Sequence, residues 1–417
     1  MPYYFCGMSE QTIFYIVLAI ITFDFALERT LSFLNSKSLR RPIPKMLAGI
    51  YDHEQYAKSQ AYQSEAAKFN ALSASIHFIL LFSAIYNGWF GMLDGWIRHV
   101  SPLSLITPFL FFGILFIVSD VIGTPFSIYR NFVIEAKYGF NKMTIRTYFL
   151  DKLKNYILTI IFGGLLLGVL VYLVNVIGKD FWLYFWGVMT VFVLFANLFY
   201  TSLILPLFNK LTPLEEGELK NTIHAYSKKV KFPLTNIFVM DGSKRSSKGN
   251  AFFSGLGKRK KVVLFDTLIA KHSTEEITAV FAHEVGHFKK KHILLNTLFS
   301  ISLTGLMLFL FSRLAYTAEV SWALGGQVSA LHLNLLAFGV LYSPISTFLG
   351  IIGNMLSRKN EYEADAYAKE TYAAKPLIEG LKKMSSDHLS NLTPHPAYVF
   401  VHYSHPPLKE RINAMGG

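Results

Sequence analysis

Apolar residues in this chain fall into long runs. Seven runs, near 11–33, 71–93, 103–126, 153–178, 181–205, 293–317 and 331–356, reach the about 20 mostly apolar residues that a helix needs to cross a bilayer. Ser300, Ser302 and Thr304 interrupt the sixth, and Asn334, Ser343, Ser346 and Thr347 the seventh. The stretch 206–292 has a different pattern. Glu215 to Val230 reads as a helix, Asn236–Met240 as a strand ending in a turn at Asp241–Gly242, and Lys260–Phe265 as a second strand. The pattern predicts a mainly α, polytopic membrane protein of seven transmembrane helices with one small α+β unit.

Composition supports that class. Apolar residues make up 52% of the 417 and charged residues only 16%, against about 25% in soluble domains. The Lys and Arg sort by loop. The connections 34–70, 127–152, 206–292 and 358–417 carry 6, 5, 16 and 8 of them, whereas the opposite side carries only Arg98 and Lys179. The positive-inside rule therefore places the basic side, including 206–292, in the cytoplasm. The net charge of +13 suits a membrane better than nucleic acid, since no nucleic-acid fold signature accompanies it. No cleavable signal peptide is expected, because the first run is too long and lacks a small-residue cleavage site. One cysteine, Cys6, allows no internal disulfide and no thiolate metal site. Asp24, Glu28, Arg29, His77 and Asp120 lie within or at the rims of the spans. Charge there is costly: Asp120 points to a wet interior, while Glu28 and Arg29 can snorkel at a helix end. The mixed aromatic and basic segment 127–152 suits the membrane interface.

The candidate chemistry lies in His283-Glu284-Val285-Gly286-His287. Two imidazoles at i and i+4 share a helix face and can share a metal, with the carboxylate between them placed to handle a water. Ser273 followed by Glu276 offers a capping box to start that helix. The metal needs a third ligand, and Cys is not available. Glu361 and Asp365, also i and i+4, share a face just past the last apolar run; one can ligate while the other supports a ligand from behind, and Glu363 points elsewhere. A solvated acidic helix start has the same spacing. The segment 242–260 is rich in Gly, Ser and Lys and reads equally as a substrate-binding strand edge or a solvated basic hairpin. His292, His395 and His402 read as structural.

Further stretches carry a family likeness. HEVGH, followed by SRKNEYEADAYA and then HYSHPP near the C-terminus, resembles the type I CAAX prenyl proteases. So do DGSKRSSKGNAFFSGLG, VVLFDTLI, LPLFNKLTPLEEGEL and GTPFSIYRNFVIEAKYGFNK, and the likeness runs over nearly the whole chain. The resemblance implies an integral-membrane zinc metalloprotease whose seven helices enclose a water-filled chamber beside a zincin-like unit. It implies one Zn2+ held by His283, His287 and Glu361, with Glu284 as general base and Asp365 as supporting group or proton donor. It places Asn250 and His405 against the substrate and the developing oxyanion, and Arg411 as the arginine that organises the site. The implied substrate is a peptide or protein prenylated at its C-terminus and presented from the lipid bilayer. Expected regions are 1–205 (five spans), 206–292 (catalytic unit), 293–356 (spans six and seven) and 357–417 (C-terminal helices). Two alternatives stand beside this: a quality-control zinc protease acting on unprenylated membrane proteins, and a non-enzymatic channel or zinc-dependent scaffold. Glu284 argues against the last, since a scaffold needs the two histidines but not the glutamate. A bacterial inner membrane and an endoplasmic reticulum membrane both fit, and nothing in the sequence reports oligomeric state.

Overall fold

The structure, a computed structural model, describes residues 8–101, 103, 105–254 and 260–416. Cys6 and the tip of the Gly/Ser/Lys-rich segment lie outside them. Six helical stretches are long and apolar enough to cross a membrane: Glu10–Ser38, His53–Tyr86, Thr107–Glu135, Ile145–Phe208, His292–Leu314 and Leu331–Thr371. The fourth, at 64 residues, would extend about 96 Å if straight, some three bilayer cores. It reverses at Gly178–Asp180, where Gly178 takes φ +71°, a conformation that side chains with a Cβ avoid. It therefore supplies two crossings, 153–178 and 181–205 of the sequence reading, and the seven runs become seven spans.

Boundaries moved where polar sequence continues a helix. The second span begins at His53 rather than 71, and the last runs on to Thr371, carrying Glu361 and Asp365 on a continuation of the membrane helix itself. Trp89–Val100, read mostly as a connection, is a short helix after the left-handed Gly88.

Two packed cores lie at opposite ends. One gathers Val17, Ile85, Phe111, Phe181, Phe311 and Leu333 from the spans. The other gathers Leu47, Tyr62, Ile134, Phe140, Ile223, Ile277, Leu377 and Ile412, drawn from all four basic segments. Between them the spans are sparsely covered: only 6–22% of each apolar window is buried. A solid bundle would bury its inward faces, so the spans stand around an open interior. Exposed polar side chains such as His77, Asn197 and Ser346 within the apolar stretches suit water there. Asp120 is also satisfied within protein, by Lys152 at 2.7 Å and by Tyr156. The segment 127–152 is not merely interfacial. Arg245 binds Asp151 bidentately and Asn141 bridges to Ser246, which ties this segment to the catalytic unit.

That unit contains a four-stranded sheet of β1 (Leu211–Pro213), β2 (Leu234–Met240), β3 (Ala251–Ser254) and β4 (Lys260–Phe265), in the order β1-β2-β4-β3. β2 and β4 run parallel, while β3 is an antiparallel edge strand. Phe253 of β3 meets Phe281 of the HEVGH helix with ring centroids 5.6 Å apart, which seats that helix against the sheet edge.

Candidate active site

The helix Thr274–Lys289 starts at its capping box: Ser273 Oγ accepts from the Glu276 N–H (3.2 Å) and Glu276 accepts from the Ser273 N–H (3.0 Å). Ile277, Phe281 and Val285 anchor one face in the core. On the adjoining face His283 and His287 bring their Nε2 atoms to 3.1 Å of each other. The helix Leu331–Thr371 crosses close by, and Gly286 permits this approach, since a Cβ there would lie 2.9 Å from the Ala364 Cα. Glu361 then reaches both imidazoles, Oε2 at 3.4 Å from His283 Nε2 and Oε1 at 3.2 Å from His287 Nε2. Donor atoms of the three residues all lie within 4.8 Å of one another.

Each donor is held from behind. Asp365 Oδ1 lies 2.8 Å from His283 Nδ1, which fixes the ring with Nε2 facing its partners. Arg411 grips Asp365 through Nε (2.8 Å) and a second nitrogen (2.6 Å), and its remaining nitrogen lies 3.5 Å from Glu361. His405 Nδ1 stands 3.0 Å from Glu361 Oε2, with its side chain 65% exposed. The sequence reading missed the support of His287. Its Nδ1 lies 3.0 Å from His292 Nδ1, and His292 Nε2 lies 3.0 Å from Glu363 Oε2. The tautomers that satisfy both contacts have His287 donating to His292 and His292 donating to Glu363. His292 had read as structural; a third histidine five residues beyond HEVGH was the available signal.

The acids around the two imidazoles favour positive charge between them. Three carboxylates, Glu284, Glu361 and Asp365, share the centre with one arginine. Burial opposes a charge on His283, but Asp365 and Glu361 prevail and raise its pKa to about 9. Burial likewise pushes the Glu284 carboxyl up, partly offset by His283 and His287. Glu284 nonetheless keeps some accessible surface, as a group facing an internal water-filled space would. Glu361 Oε2 is buried, and no nearby donor is aimed to hydrogen-bond it. Two convergent imidazoles, a buried carboxylate that reaches both, and surrounding acids that favour positive charge there fit a divalent metal ion.

The eight residues singled out from sequence do not all meet. His283, His287, Glu361, Asp365, His405 and Arg411 form one connected cluster, with Glu284 on the same helix turn. Asn250 stands apart: it is exposed, its Oδ1 accepts from the Ala251 N–H, and among the described residues no hydrogen bond links it to the cluster. It immediately precedes β3, the strand against this helix.

Residues 32–210 match the family described as CAAX prenyl protease N-terminal, five membrane helices, and residues 213–417 match peptidase family M48. A CAAX prenyl protease 1 homolog of Oryza sativa is 33% identical over 412 residues, covering 96% of both chains. CAAX prenyl protease 1 of Saccharomyces cerevisiae is 34% identical, over 94% of this chain and 92% of the yeast protein. The human homolog is 33% identical, over 89% of this chain and 88% of its own length. The crystal structure of S. mikatae Ste24p superposes with a TM-score of 0.92 at 33% identity, covering 97% of this chain and 99% of that one. With both halves matched and relatives aligned nearly end to end, the chain belongs to the CAAX prenyl protease 1 family of multi-pass membrane metalloproteases, peptidase family M48.

Proposed function

We propose that the protein is a zinc endopeptidase that removes the C-terminal tripeptide of prenylated CAAX proteins at the cytoplasmic face of its membrane. The observation that carries the zinc assignment is the convergence of two imidazoles and one carboxylate. Ligands at about 2.0–2.2 Å from a tetrahedral zinc stand about 3.3–3.6 Å apart; here the two Nε2 atoms lie 3.1 Å apart, and the Glu361 carboxylate sets Oε1 3.2 Å from His287 Nε2 and Oε2 3.4 Å from His283 Nε2, close to that spacing. His283 Nε2, His287 Nε2 and one Glu361 oxygen hold one Zn2+ in this reading.

The bound zinc supplies Lewis acidity, making water acidic near neutral pH and polarising the scissile carbonyl. The chain's own groups do the rest. Glu284 takes a proton from the water that attacks the carbonyl carbon, then passes it to the amine nitrogen as the C–N bond breaks. His405, the most exposed member of the cluster, sets Nδ1 beside Glu361 and keeps its Nε2–H for the substrate, where it donates to the developing oxyanion. Asn250 joins it from the start of the edge strand, along which an extended peptide can lie. Arg411 and Asp365 keep His283 in register.

The chain divides into spans one to five (1–205), a catalytic unit (206–292), spans six and seven (293–356) and a C-terminal helical region (357–417). The Lys/Arg imbalance supports a cytoplasmic site, and an open membrane interior suits a substrate whose lipid tail needs bilayer and whose peptide bond needs water. The test is cleavage of one CAAX peptide in two forms, farnesylated and unmodified. A farnesyl preference of at least about tenfold in kcat/KM, or about 1.4 kcal/mol in transition-state binding, is expected. Equal cleavage of both would move the substrate to unprenylated membrane proteins, and cleavage of neither would remove the peptidase assignment.

A further inference from the structure

The first two spans, Glu10–Ser38 and His53–Tyr86, pack side by side, and a cavity of about 920 Å³ opens between them. It lies at the end of the bundle that carries the metal centre. The C-terminal region that supplies His405 and Arg411 also binds this end of the first span: Thr393 Oγ1 donates to the Ser38 carbonyl (3.0 Å) and the His395 N–H to Asn35 Oδ1 (3.1 Å).

The lining carries one sign of charge. Arg29, Lys37, Arg40 and Lys68 face the cavity, and no carboxylate lines it. Among the described residues none of the four is in an ion pair. The acids beside them in sequence are engaged elsewhere, Glu28 at 3.5 Å from His402 and Glu65 at 2.7 Å from Lys137. Arg29 bears the sharpest mark: its Nε is buried and has no hydrogen-bond partner, a costly condition for a guanidinium. Lys37, Arg40 and Lys68 are exposed and free to turn towards a ligand.

The rest of the wall is uncharged, and the side given by the second span consists mostly of small residues. Ala57, Ala61, Ser64, Ala67 and Ala71 recur every three or four residues, so they share one face of the second span and leave a furrow along it. Phe33, 66% exposed, stands at the furrow's edge.

We infer that this cavity binds an anionic phospholipid, with its headgroup phosphate on the four cations and its acyl chains in the bilayer beyond Ala71. Four cations with no acid beside them at the rim of a membrane span favour an anion, and guanidinium and phosphate oxygens match in geometry. Basic pockets between membrane helices recur as sites for acidic headgroups. Arg29 and Lys68 stand at the rims of the two apolar runs, the level of lipid headgroups, which favours a lipid phosphate over a soluble one.

The test uses full-length protein from vesicles of equal phosphatidylcholine and phosphatidylglycerol, extracted gently and read by native mass spectrometry. The protein should retain one phosphatidylglycerol in preference to phosphatidylcholine, and glycerol 3-phosphate should not displace it. Arg29→Gln with Lys68→Gln should lower retention by about fivefold per cation removed. The exposed single changes Lys37→Gln and Arg40→Gln give the same reading should the double variant fold poorly. Lys220→Gln with Lys375→Gln removes equal charge elsewhere and should change nothing. Equal retention of both lipids, or equal loss in the two double variants, overturns the proposal. Displacement by glycerol 3-phosphate reassigns the site to soluble phosphate and overturns the lipid assignment.

Discussion

Glu284 sits between two histidines on one helical turn, where burial disfavours its charge and the neighbouring imidazoles partly restore it. A base held in that balance can accept a proton and release it again. Glu284→Gln keeps the shape and removes the basicity, so metal content should stay at wild-type level while cleavage falls about 10²–10⁴-fold. Metal analysis and turnover on the same preparation check both parts. His292 makes a different prediction. Because it orients His287 rather than facing substrate, His292→Phe should weaken zinc affinity by about 10–100-fold, measured by competition with a chelator. Activity should return at saturating zinc, which loss of a ligand would not allow. The i, i+4 spacing made His283, His287, Glu361 and Asp365 legible in sequence, because a continuous helix fixes which residues share a face. His292 was not legible. On an unbroken helix a residue five places on points well away from His287; here Lys291 takes φ +61° and ends the helix, so that His292 begins the next one and turns back.

At the scale of elements, the site depends on how closely two helices cross. Gly286→Ala places a methyl against the Ala364 backbone, and that backbone cannot move aside as a flexible side chain would. The crossing should widen, separating Glu361 from the two histidines. Zinc affinity should fall with secondary structure intact, as circular dichroism beside metal titration would show; unchanged affinity would mean that the crossing has slack. The start of the catalytic helix carries a pH dependence. Burial holds His272 below its ordinary pKa, with attraction to Glu276 only partly opposing, so the unfolded chain binds this proton more readily than the folded one. The stability His272 contributes is therefore present above about pH 6.5, the unfolded value, and is lost as pH falls below it. Melting temperature should drop through that window, and His272→Asn should flatten the drop. The capping box was readable from Ser273 and Glu276 because its bonds are local. The merging of the last span with the Glu361 helix was less visible, since hydropathy reports where apolar sequence stops and not where backbone hydrogen bonding stops.

Across the whole molecule, the sorting of Lys and Arg foreshadowed the assembly. The four basic segments, far apart in sequence, come together at one end: Tyr62 donates to Glu135 at 2.7 Å, Arg245 holds Asp151, and Lys271 lies 3.3 Å from Asp387. Charge showed that these segments share a side of the membrane, but their mutual packing depends on long-range contacts that no local pattern encodes. The same holds for the open interior, which follows from packing at both ends with little between. At this end of the molecule lies the proposed catalytic zinc, on His283, His287 and Glu361. The most direct measurement is zinc content and cleavage of a farnesylated CAAX peptide by purified full-length protein, before and after chelation, for the wild type and Glu361→Gln. About one zinc per wild-type chain is predicted, with cleavage abolished by chelator and restored by zinc, and both zinc and cleavage lost in the variant. Cleavage that survives complete removal of zinc, or stoichiometric zinc that persists in Glu361→Gln, would contradict it.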